Sequence, residues 1–307
     1  MSRNEPKKFL TTKEVATLLK INEKMVYSLI NDKGLPATKI TGKWLFPKRT
    51  VEDWLEAHLV NGQLLEQNLD RDDSVLLIAG SDDPLFQEVI SLFHTANPGT
   101  TVYYANLGSL GGLKSLRQGQ CQIGVCHLLQ DDQQEYNFDF VEQEFERMPV
   151  LVNFSKRQQG LLIRKGNPKG ISTVADLARP DVRIVNRSLG TGTRLLLDYE
   201  IAKSEISCTN IKGYDREMSR HLDVGLEVLA GRVDAAPAIR AVAGLLELDF
   251  IPFRWERFDL LIAKENFFDR PIQNFLDILH AKEFFDLAQT HQGYDLSLTG
   301  KVIFPNT

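Results

Sequence analysis

Apolar positions along this chain keep a helical period at first and then change to short alternating runs. From Phe9 to Glu56, Val15, Leu18 and Leu19 fall on one helical face, and Val26, Leu29 and Ile30 on a second. Thr11 and Glu14 stand three apart in a capping-box pattern before the first run, and Asn22 is placed to cap the second. Gly34-Leu35-Pro36-Ala37 ends that helix. Lys39 to Pro47 reads as a hairpin turning at Thr41-Gly42-Lys43, with Trp44 and Phe46 on one face and Leu45 on the other. Val51, Trp54 and Leu55 begin a closing helix. Asn61 to Ser74 breaks the periodicity and marks a linker, which divides the chain into a module over 1–60 and a body over 75–307.

Strand-like runs fill the body: Val75 to Ala79, Thr101 to Ala105, Ile123 to Val125, Val150 to Phe154, Leu161 to Ile163, Val182 to Val185, Val233 to Ala235, Phe250 to Phe253 and Leu260 to Ile262. They alternate with helical runs at Leu85 to Phe93, Leu113 to Arg117, Leu195 to Ala202 and Val224 to Leu229. Such alternation predicts an α/β fold with mostly parallel sheets, whose ligands sit beyond the carboxyl ends of the strands.

Charge sharpens the division. Residues 1–60 carry 11 Lys+Arg against 7 Asp+Glu, and the remainder 25 against 34, so an acidic whole hides a basic end. A basic module supplies the phosphate-contacting part of DNA affinity while an acidic body stays off the polyanion. Lys24, Tyr27, Ser28 and Asn31 face outward on the second helix, and Lys39, Lys43, Lys48 and Arg49 lie on or beside the hairpin. These are the candidate DNA contacts.

Candidate ligand chemistry sits at strand-to-helix corners. Asn186-Arg187-Ser188-Leu189-Gly190-Thr191-Gly192-Thr193-Arg194 follows an apolar run and opens a helical one. Its glycines permit close backbone approach, and its hydroxyls and helix-start N–H groups suit an anion. Gly80-Ser81-Asp82-Asp83-Pro84 and Gly108-Ser109-Leu110-Gly111-Gly112 repeat the design. Neither a nucleotide P-loop nor a dinucleotide fingerprint is present. Ser81, Ser109, Ser188, Thr191, Gly192, Thr193 and Arg194 are therefore the candidate oxyanion contacts. Arg187 is a further cation that can neutralise an anion, or equally pair with surface acids.

No G-x-S-x-G elbow or matching nucleophile–base pattern occurs, which argues against an enzyme, with no catalytic residue and no cofactor expected. Cys121, Cys126 and Cys208 have neither zinc nor disulfide spacing, and no metal site is expected. Absence of a signal pattern or of a long apolar run predicts a cytoplasmic protein without a membrane partner.

Residues 10–16, Val26-Tyr27, Leu35-Pro36-Ala37 and Gly42-Lys43-Trp44 resemble the excisionase/MerR-like winged helix-turn-helix domains. The body resembles the periplasmic-binding-protein fold of the molybdate/tungstate-binding kind. Gly108-Ser109-Leu110-Gly111-Gly112, Arg157-Gln158-Gln159-Gly160, Gly166-Asn167-Pro168, Asn186-Arg187, Gly190-Thr191-Gly192-Thr193-Arg194, Gly213-Tyr214, His221, Asp259-Leu260 and Gly293-Tyr294-Asp295 carry that likeness over about 75–300.

The resemblance implies a type II, two-lobed sensor, with lobe one over about 75–155 and 260–307 and lobe two over about 160–255. Its lobes would be joined by strands crossing near 150–164 and 253–263, and its cleft would hold molybdate or tungstate. It places His221 at a helix start near the cleft, as an oxyanion contact that can donate a hydrogen bond to the anion or else as a structural cap, and His127 packed beside the cleft of lobe one. The expected protein is a homodimeric one-component regulator of the tungstate-responsive repressor type, with operator DNA and a small oxyanion as partners. A sensor of a different organic ligand, or an enzyme or carrier on the same fold, is the alternative.

Overall fold

The computed structural model describes residues 8–40, 42–57, 74–130 and 136–305. Thr41, residues 61–73 of the expected linker, and the side chains of Asn31 and Arg49 lie outside the described residues. The chain forms two compact units, Met1–Asp72 and Asp73–Thr307.

In the first unit, β1 (Phe9–Thr11) leads into α1 (Thr12–Leu19) and α2 (Glu23–Lys33), followed by β2 (Thr38–Ile40), β3 (Lys43–Pro47) and α3 (Lys48–Ala57). Thr11 caps α1 reciprocally with Glu14, and the Asn22 side chain accepts the Met25 N–H to cap α2. Gly34 stops α2 in the left-handed region at φ 64°, where a side chain would be strained. The hairpin pairs Ile40 with Lys43, and β1 completes a three-stranded sheet on β3. Val15, Val26, Leu35, Phe46 and Val51 form its core, and the Trp54 indole N–H donates to the Lys33 carbonyl. Leu18 departs from expectation. It is 46 % exposed, because an eight-residue helix buries only a narrow stripe, and Val15 and Leu19, one turn apart, fill it.

The second unit begins with β4 (Val75–Gly80), α4 (Pro84–Ala96), β5 (Thr101–Asn106), α5 (Gly108–Arg117), β6 (Ile123–Cys126) and α6 (Phe138–Glu144). The long β7 (Val150–Ile163) then crosses to a second lobe made of β8 (Asn186–Arg187), α7 (Gly192–Lys203), β9 (Glu217–Met218), α8 (His221–Leu229), β10 (Ala235–Ile239) and α9 (Arg240–Leu245). The equally long β11 (Asp249–Ile262) returns, and α10 (Arg270–Ile278), α11 (Lys282–Gln289), β12 (Tyr294–Asp295) and β13 (Val302–Ile303) finish the first lobe.

The main sheet runs β10-β7-β11-β6-β4-β5, with β12 and β13 on β7. Period-two alternation feeds both faces. Val152 and Phe154 enter one lobe-one core under α4, α10 and α11, while Leu151 enters the other with α5 and α6. In lobe two, Leu161 and Ile163 pack with α7 and Leu162 with α8 and α9.

Sheets are less parallel than expected: among the described strands, β4 with β5 and β6, and β8 with β9, pair parallel, and the other strand pairs are antiparallel. The reason is the crossing. A chain that leaves by β7 and returns by β11 makes those strands antiparallel along their whole length. Register shifts in β11 at Pro252/Arg254 and Phe258/Asp259 bracket the crossing segment. Two apolar runs also form less strand than their pattern suggests. Val182 to Val185 makes only isolated bridges at Arg183 and Ile184, and the strand near Val233 starts at Ala235.

Candidate ligand site and nucleic-acid interface

The three glycine-bearing corners meet between the lobes of the second unit. At the first, Asp83 caps α4 by accepting the Phe86 N–H at 2.9 Å, and Pro84 takes the first helical position, where it needs no donor. At the second, Gly112 lets α5 lie against β4: a Cβ there would stand 2.6 Å from Gly80 Cα and 2.7 Å from the Ala79 carbonyl. At the third, Thr191 caps α7 through Arg194 N–H.

Contacts between lobes draw these corners together. The backbone N–H of His221, first residue of α8, donates to Asp82 Oδ2 at 2.8 Å. Leu110 N–H donates to the Gly190 carbonyl at 3.3 Å, and the Asn106 amide to the Ser219 carbonyl at 3.2 Å. The Gln159 amide, on the crossing strand, donates both to Thr193 Oγ1 and to Glu256 Oε1, each at 2.8 Å.

The crossing strands add charge to this region. Arg157 on β7 pairs with Glu256 (2.6 Å) on β11 and with Asp83 (2.8 Å), and Glu256 Oε2 lies 2.9 Å from His127 Nδ1. All four are almost wholly buried. Burial pushes the Glu256 carboxyl up, but His127 and Arg157 outweigh it and hold it below its ordinary value. Burial pushes the Asp82 carboxyl up and the His127 imidazole down. His221 is driven well below the ordinary histidine value by burial first and then by the charges of Arg187 and Arg157.

Sequence-derived candidates divide by what holds them. Ser81 and Ser109 are buried and share a hydrogen bond at 2.7 Å, with Ser109 Oγ also accepting the His127 N–H. Thr191 donates its hydroxyl to the Ser188 carbonyl, so it serves as a cap, and Ser188 is half-buried beside it with its N–H on the Met218 carbonyl. Thr193 accepts from Gln159, and Gly192 packs directly against His127. Arg194 is engaged by Asp198 and Glu217 and lies over the Tyr214 ring.

His221, 0 % exposed, has no partner for either ring nitrogen among the described residues. Four residues outside the expected set belong to the same neighbourhood: Asp82, Arg157, Gln159 and Glu256. Arg157 and Gln159 stand in the resembling stretch, but the pairing with Asp83, Glu256 and Thr193 joins residues far apart in the chain and has no local signal. Arg187, whose role the sequence leaves open, belongs there too, within reach of the charges of Asp82 and Arg157.

In the first unit, Lys24, Tyr27 and Ser28 are exposed on α2, and Lys39, Lys43 and Lys48 are exposed on the wing and at the start of α3. Lys39 Nζ sits 5.6 Å from the Trp44 ring centroid.

A three-stranded wing on a helix pair, and two lobes joined by two crossing strands over a polar seam, define a DNA-binding module and a ligand-binding body. Residues 9–59 match the helix-turn-helix domain model and residues 90–280 the PBP superfamily domain model. The chain belongs to the PBP superfamily, with a helix-turn-helix domain at its N-terminal end. Both domains are of binding types.

An uncharacterised protein of Bacillus subtilis (strain 168), YvgK, is 29 % identical over 303 residues, covering 95 % of this chain and 97 % of that protein. An uncharacterised protein from the 5′ region of a 2Fe-2S ferredoxin gene of Clostridium pasteurianum is 34 % identical over 110 residues, 36 % of this chain and 97 % of its own. Among solved structures, one described as a phosphate ABC transporter substrate-binding protein with bound phosphate, from Clostridium perfringens, shares the fold. Its TM-score is 0.53 at 16 % identity, covering 71 % of this chain and 98 % of that one. Among the described residues no helix is long and apolar enough to cross a membrane.

Proposed function

We propose that this protein is a one-component transcriptional regulator. Its winged helix-turn-helix reads operator DNA as a homodimer, and its interlobe seam senses a small oxyanion of the molybdate or tungstate kind. The observation that carries the ligand reading is His221. An imidazole wholly buried at a helix start, with both nitrogens unpartnered, is costly unless something polar completes it. The backbone N–H groups of the first turn of α8 and the neighbouring arginines make an anion the natural complement.

Asp82 of lobe one accepts the first N–H of α8, which ties this corner to the facing lobe. Closure of the lobes on a ligand would favour one spacing of two DNA-reading modules. The test is operator binding by fluorescence anisotropy with and without saturating tungstate, alongside calorimetric titration with molybdate, tungstate, sulfate and phosphate. Coupling of the usual size changes operator affinity by about 5- to 150-fold. Identical curves with anion binding confirmed would leave two independent activities, and an absence of binding by every anion would remove the sensor reading.

A further inference from the structure

Arg187 and Arg194 flank the same glycine-bearing corner, and the fold treats them in opposite ways. Arg194 is held by Asp198 and Glu217 at 3.0 Å each, donates to the Arg187 carbonyl and covers Tyr214. Arg187 is 2 % exposed, yet among the described residues its Nε and Nη1 have no hydrogen-bond partner and no carboxylate forms an ion pair with it. The other fully buried arginine of the seam, Arg157, has two carboxylate partners. Asp82 acts on Arg187 from a distance, but its own oxygens are taken by the His221 N–H and the Gln87 amide.

A guanidinium taken out of water without a counter-charge is among the most costly groups a fold can bury. Burial accordingly pushes Arg187 down to about 10. Asp82 and Asp223 favour its charge only from a distance, Arg157 repels it, and the nearby His221 stays neutral. Part of the seam's hydroxyl capacity is spent on the protein itself: Thr191 donates to the Ser188 carbonyl and Ser81 and Ser109 share one hydrogen bond, while Thr193 accepts from the Gln159 amide. Among the described residues, the fully buried side-chain nitrogens of the seam left without a partner are those of Arg187, His221 and one nitrogen of Arg157.

We infer that Arg187 is the counter-charge of the ligand held between the lobes, so that the sensor selects small molecules carrying net negative charge, oxyanion or carboxylate, and rejects neutral ones of similar size. This rests on the proposed sensing role of the seam and goes beyond it by naming the residue that sets the ligand's charge. Arg194 anchors the corner that presents it.

Purified full-length protein is titrated calorimetrically with tungstate, molybdate, acetate and, as a neutral probe, boric acid at pH 7, and its melting temperature is recorded without ligand. R187Q is expected to weaken tungstate binding by about 30-fold or more, the loss that follows from removing one member of a buried charge pair. Its ligand-free melting temperature should equal or exceed that of the unaltered protein, since an unpaired charge has been removed; a structural ion pair would give the reverse. R187K should retain more of the affinity than R187Q, and R187M keeps the test available should R187Q fail to fold. Tungstate binding by R187Q and R187M within about threefold of the unaltered protein, less than the smallest loss expected for a buried pair, overturns the inference. Boric acid binding as tightly as tungstate also overturns it. Failure of the unaltered protein to bind any anion while binding a neutral organic molecule would instead overturn the anion reading of the seam itself.

Discussion

Gly192, at the start of α7 in lobe two, lies so close to His127 of lobe one that a Cβ on it would stand 2.5 Å from both Nδ1 and the carbonyl oxygen of His127. Both atoms belong to groups fixed elsewhere. The imidazole is tied to Glu256, and the carbonyl is backbone at the end of β6. No small rotation relieves the overlap.

Gly192→Ala should therefore hold the lobes apart without harming either one. Alanine is a better helix former than glycine, by up to about 1 kcal/mol in a helix interior, so α7 itself is not weakened. The expected result is a melting temperature near that of the unaltered protein and tungstate affinity lowered by about tenfold or more, the scale of one lost charge-assisted hydrogen bond. Unchanged affinity in calorimetry would show that this contact does not govern closure.

Arg194 and Thr191 are predicted to matter for stability more than for the ligand. Asp198 and Glu217 are about a third exposed, so Arg194→Ala should cost about 1–2 kcal/mol, well short of a fully buried pair. Thr191→Ala removes an N-cap worth about 1 kcal/mol. Thermal denaturation beside tungstate titration checks this: each should lower the melting temperature and reduce affinity less than R187Q does.

His221 gives the pH dependence its sign. Burial, Arg187, Arg157 and His127 hold the imidazole below 6.5, and Asp82 meets its backbone N–H rather than its ring. Without ligand, the stability from keeping it neutral is fully present above 6.5 and is lost progressively as pH falls from there toward the lower folded-state value, the window in which the unfolded chain holds the proton and the folded one does not. A bound anion opposes the two arginines and raises the imidazole pKa, so binding takes up protons and affinity falls as pH rises, by at most about tenfold per unit. Calorimetry in two buffers of different ionisation enthalpy reads the proton directly. His221→Gln should abolish the buffer difference, and equal heats in the unaltered protein would remove His221 from the linkage.

Lys43, exposed at the first position of the wing strand, is placed for phosphate contact. Lys43→Ala should weaken binding to every duplex to a similar extent and reduce the slope of log affinity against log salt by about 1. A change confined to one sequence would move Lys43 from the backbone to a base edge.

Much of the fold was legible because most elements follow local rules. The caps at Thr11 and Asn22, the hairpin that pairs Ile40 with Lys43 and the core residues Val26 and Phe46 can be read from spacing alone. The crossing strands were not. β7 reads as two separate runs because Ser155, Lys156, Arg157, Gln158 and Gln159 interrupt the apolar pattern, yet Ser155, Arg157 and Gln159 are fully buried. Polarity marks a loop only where water solvates it, and here Asp83, Glu256 and Thr193 do so from distant parts of the chain. Arg187 and Arg194 show the same limit in the site. Both are basic residues at one corner, and only the positions of Asp198 and Glu217 separate their roles.

The strands that join the lobes also carry Arg157, Gln159 and Glu256, so the seam's chemistry and its mechanical joint are one set of residues. In a lineage drifting toward a new ligand, substitutions on these strands would retune recognition and the ease of bending together. Those at the corners, Ser81, Ser109 and Arg187, would retune recognition with less effect on bending. Divergence of ligand preference should therefore accumulate at the corners first, leaving the joint as the slow-changing part of the sensor.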